Sequence, residues 1–133
     1  MSDQEIQPRD WLRISAIITA IALLFWTPVE SVERTSVLLF SAVICVLAAL
    51  GFLRRSSDRY SFWHSVLTGS AGGLAVSPIA SVLMLFKIGL HGHAVPDFSF
   101  SDILATLRLT PFWGIGGLLI GLGFGLWNLS YQE

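Results

Sequence analysis

Residues Phe62–Leu90 read FWHSVLTGSAGGLAVSPIASVLMLFKIGL, a run whose only Lys, Arg, Asp or Glu is Lys87, close to its end. A bilayer core takes about 20 mostly apolar residues per helix, so this run is long enough to cross one. Three more apolar runs accompany it: Trp11 to Val29, Ser36 to Leu53, and Pro111 to Leu129. Together they predict an all-α integral membrane protein, a four-helix bundle forming a single transmembrane domain over residues 1–133.

Composition points the same way. Hydrophobic residues make up 53% and charged residues 13% of the chain, and the mean hydropathy is +0.69. Soluble domains carry about 25% charged residues, roughly twice this share. Four spans leave no room for a separate soluble catalytic domain, and a net charge of -1 gives no basic surface for nucleic acid. The N-terminus mixes Asp3, Glu5 and Asp10 with Arg9 and Arg13, and Thr27-Pro28-Val29-Glu30 shows no small-x-small cleavage pattern. The first run is therefore expected to stay as an anchor rather than leave as a signal peptide. The single cysteine, Cys45, is expected to serve as a small apolar residue of span two.

Trp11 and Trp26 bracket the first span, Trp113 and Trp127 the fourth, and Trp63 opens the third. Each pair lies about 21–23 Å apart along a helix axis, the arrangement of interfacial aromatic belts. With four spans the termini and the 54–59 connection share one face, which carries Arg9, Arg13, Arg54, Arg55 and Arg59. Arg34, Lys87 and Arg108 stand on the other. That excess places both termini on the cytoplasmic side, or the stromal side in a photosynthetic membrane. In the one long loop, Ser99 or Ser101 can cap a short helix with Phe100, Ile103, Leu104 and Leu107 on one face. Asp102 and Arg108 suit its dipole. It reads as an amphipathic interfacial helix between spans three and four.

Spans three and four each carry small residues at every fourth position: Ser65, Gly69, Gly73, Ser77 and Ser81 in one, Gly117, Gly121 and Gly125 in the other. Apolar helices gain little in lipid by hiding from water, so close backbone approach must hold them together. The two ladders are expected to pack on each other, or else one faces another subunit. Gly114, Gly116 and Gly123 exceed what one seam needs, which suggests a second contact face on span four. Pro78 removes a backbone hydrogen bond in mid-span, and Ser77 and Ser81 are expected to satisfy the freed carbonyls.

His91, His93 and Asp97 fall within seven residues at a membrane boundary. A His-x-His pair in an extended chain can hold a metal, with Asp97 as a third ligand, although no fourth ligand is evident. The competing reading is a structural interfacial loop, with Lys87 snorkelling to the surface. His64 can ligate a haem or pigment, or simply sit at the interface. No carboxylate lies inside a span, where a proton-coupled carrier would need one, and no catalytic motif appears.

The stretch Leu85-Phe86-Lys87-Ile88-Gly89-Leu90-His91-Gly92-His93, followed by Pro96-Asp97-Phe98 and by Trp113-Gly114-Ile115-Gly116-Gly117, resembles small integral membrane proteins of unknown function from cyanobacteria and plastids. The resemblance covers the C-terminal third. It implies a thylakoid or cytoplasmic membrane setting and carries over no catalytic residue and no cofactor.

The expected function is non-enzymatic: an accessory subunit or assembly factor that binds a membrane-protein partner, or a second copy, inside the lipid bilayer. Span four and the 91–97 loop would form the contact surface. The alternatives are an oligomeric pore or carrier with Gly117, Gly121 and Gly125 at subunit interfaces, and a metal- or tetrapyrrole-binding protein. The last predicts bound metal or colour that is lost when His91 and His93 are replaced by alanine, which metal analysis and absorbance spectra check.

Overall fold

The computed structural model describes residues 8–26, 33–55, 62–90 and 98–130, and these form five helices with no strand. They are α1 (Pro8–Trp26), α2 (Arg34–Arg55), α3 (Phe62–Leu90), α4 (Phe100–Leu107) and α5 (Thr110–Ser130). The third matches the expected span residue for residue, and α2 and α5 extend theirs by one or two residues at each end. Of the described residues, Arg34–Arg54, Phe62–Leu90 and Phe100–Ser130 are long and apolar enough to cross a membrane, with mean hydropathies of 2.6, 1.8 and 1.6. The apolar part of α1, Trp11–Leu23, is shorter.

Polar side chains lie buried beside the apolar core while large apolar ones cover the outside. Ser41, Ser65, Ser77, Ser81, Lys87 and Thr106 are all buried, while Ile17, Leu39, Leu67, Val82, Leu119 and Phe112 are exposed. A chain surrounded by water would do the reverse. In hydrocarbon an outward leucine is neutral, and an inward hydroxyl can return its hydrogen bond to its own helix. Several do so: Ser41 Oγ donates to the Val37 carbonyl at 2.8 Å, and Ser70 Oγ to the Val66 carbonyl at 2.8 Å.

The most extensive pairing is antiparallel α3 against α5; α2 packs on α3, α1 on α2, and α4 on α3. The α3–α5 seam is made by the two small-residue ladders. A methyl group added at Gly69 would stand 2.8 Å from the Gly121 Cα, and one at Gly117 2.8 Å from the Gly73 Cα. A methyl at Gly73 would strike the Trp113 carbonyl, and one at Gly121 would lie 2.7 Å from the Ser65 carbonyl. Gly125 closes the seam against the Phe62 ring. Only hydrogen fits at these positions, so the backbones themselves touch. On α1, Leu12, Ser15 and Thr19 form the less exposed stripe. Leu12 approaches Gly51 at the far end of α2, which fixes that pair as antiparallel.

The Ser99 cap of α4 is present and Ser101 is not the cap. Ser99 is extended, its Oγ accepts from the Asp102 amide at 3.2 Å, and the Asp102 carboxylate accepts from the Ser99 amide at 3.0 Å. The face differs from expectation. Ile103 turns inward with Thr106, and Phe100, Leu104 and Leu107 are exposed. The reason is that α4 extends the α5 pairing instead of standing apart: Thr106 Oγ1 lies 3.9 Å from the Met84 sulfur, further along the order that sets Gly121 against Val66 and Gly114 against Leu74. Only Arg108 and Leu109 separate α4 from α5, turned by the Leu109 amide on the Thr106 carbonyl at 3.1 Å.

Gly121→Leu is expected to separate α3 from α5 and abolish the folded state, because its neighbours are backbone atoms that cannot yield. Gly89→Leu, with nothing within 4 Å, is expected to change stability by less than about 1 kcal/mol. Denaturant unfolding in detergent followed by circular dichroism checks both.

Candidate functional site

α2 and α5 both pack on α3, and a slot opens between them. Its floor is α3 from Ser65 to Val76, with Gly69, Gly72 and Gly73 in the middle. One wall is α2, with Ala42, Val46 and Leu53; the other is α5, with Trp113, Gly116 and Phe124. The cavity measures about 210 Å³, and apart from the hydroxyls of Ser65 and Thr68 near one end its side chains are apolar. Its deep end stops where Ala42, Val76 and Trp113 meet the buried cluster of Val37, Leu38, Ala80, Met84, Phe98 and Ile103. Its other end is bordered by Leu53, Ser65 and Phe124, where α2 finishes and α3 begins.

A wider and shallower groove of about 530 Å³ follows the other side of the α2–α3 seam. His64 stands at one end of it, stacked on Phe52 with ring centroids 5.8 Å apart and planes 2° from parallel. Cys45, Ala49, Thr68 and Gly72 border both cavities, so the α2–α3 contact is a narrow ridge. A methyl at Gly72 would sit at an ordinary 3.8 Å from the Ala49 Cβ. Cys45 is buried in that ridge.

The expected helix-packing residues Ser65, Gly69, Gly73, Gly117, Gly121 and Gly125 come together at one seam. Gly117, Gly121 and Gly125, which the pore reading placed at subunit interfaces, face their own chain's α3. Of the three surplus glycines, Gly114 packs on Leu74, whereas Gly116 and Gly123 have nothing within 4 Å.

Ser77 is fully buried, and its hydroxyl has no hydrogen-bond partner among the described residues. Ser81 Oγ donates to the Ser77 carbonyl at 3.0 Å. Neither serine therefore reaches the Leu74 carbonyl that Pro78 leaves without its usual donor. Lys87 departs furthest from expectation: it does not snorkel but is completely buried and engaged within the chain. α4 packs beside this part of α3, with Thr106 Oγ1 3.9 Å from the sulfur of Met84, three residues before Lys87. Trp113 also leaves the belt pattern. It is half-buried against the core cluster and lines the slot, while Trp11, Trp63 and Trp127 face outward.

His91, His93 and Asp97 lie outside the described residues. Among the described residues no group of three or more His, Cys, Asp or Glu side chains could hold a metal. No protein-family model, curated protein or solved structure matches this chain.

The slot was not legible in the sequence. The ladders predicted contact between α3 and α5, but the cavity depends on the angle at which α2 sits beside them. The nearest signal was the run of small residues at Gly69, Gly72 and Gly73, which serves two neighbours at once.

Gly116→Leu is expected to fold like wild type, since its side chain enters open space, and Cys45→Ala to cost less than about 1.5 kcal/mol, the range for a modest loss of buried volume. Unfolding midpoints of both variants in detergent, compared with wild type, check these values.

Proposed function

We propose that this chain is a non-enzymatic integral membrane protein of four spans, α1 being the fourth, which serves as an accessory subunit or assembly factor of a larger membrane complex. Two features support α1 as a span. Its 19 residues reach about 28 Å, close to the hydrocarbon thickness of about 30 Å. Trp11, Ile14, Ile17, Ile18 and Ile21 give it a largely apolar exposed surface, with Arg13 near its start. The basic residues favour both termini on the cytoplasmic or stromal side, and the resemblance of the C-terminal third favours a thylakoid or cytoplasmic membrane.

The observation that carries the partner reading is Gly123. Glycine costs a helix about 1 kcal/mol relative to alanine, and at most glycines of α5 a close neighbour explains it. Gly123 has nothing within 4 Å and lies on an exposed face with Phe112, Leu119 and Trp127. A helix from another protein can approach the backbone there as α3 does on the opposite side. The chemistry asked of this surface is association, with no reacting group required.

The test is purification of the tagged protein in mild detergent with identification of co-migrating chains. Migration with a large complex is the expected outcome, with Gly123→Leu folding normally but migrating alone. A small, self-contained species for both would overturn the reading.

A further inference from the structure

We draw no further inference here: the strongest candidate, the apolar slot that α2 and α5 form over the glycines of α3, presents almost no polar group to a ligand, and nothing in the structure shows what covers it.

Discussion

Contact between two bare backbones, α3 and α5, is the constraint from which the rest of this structure follows. At Gly69, Gly73, Gly117 and Gly121 there is room for hydrogen and nothing larger. Helices in lipid have no water to escape, so they adhere by the number of atoms brought within van der Waals range. Removing the side chains from both partners lets whole stretches of main chain meet. This seam orders the register of everything attached to it: Thr106 of α4 reaches Met84 because the ladder has already set which residue faces which.

The same economy of size creates the slot. Residues small enough to admit α5 on one side of α3 leave a shallow floor on the adjoining side, where α2 rests on the ridge of Cys45 and Ala49. Larger residues at Gly72 or Gly116 would fill the space, but the first would push α2 away. The cavity is thus a geometric consequence of two helices sharing one small-residue helix. Its walls are apolar, contributed by α2, α3 and α5 together.

At the opposite end of α3 the problem is polar. Lys87 is buried completely, and a buried polar group calls for a partner; it has an interaction within the chain. The capping box of Ser99 and Asp102 fixes the start of α4, and Asp102 also feels the charge of Arg34 at the start of α2. Charged groups at the heads of α2 and α4 thus interact with each other on the side of the molecule where α3 ends.

The sequence alone determined the helices, because twenty-residue apolar runs and a Ser-x-x-Asp cap are local properties that any environment of this kind will read the same way. It narrowed the α3–α5 contact to two stripes of residues spaced by four, while leaving open whether they met each other or another subunit, and the structure brings them together. Tertiary structure alone decided which glycines remained outside that seam, that Trp113 turned into the core, that Ile103 left the exposed face of α4, and that Lys87 went inward. Each of these depends on where a second or third helix lies around α3, an angle set by the sum of many weak contacts and recorded in no single residue spacing.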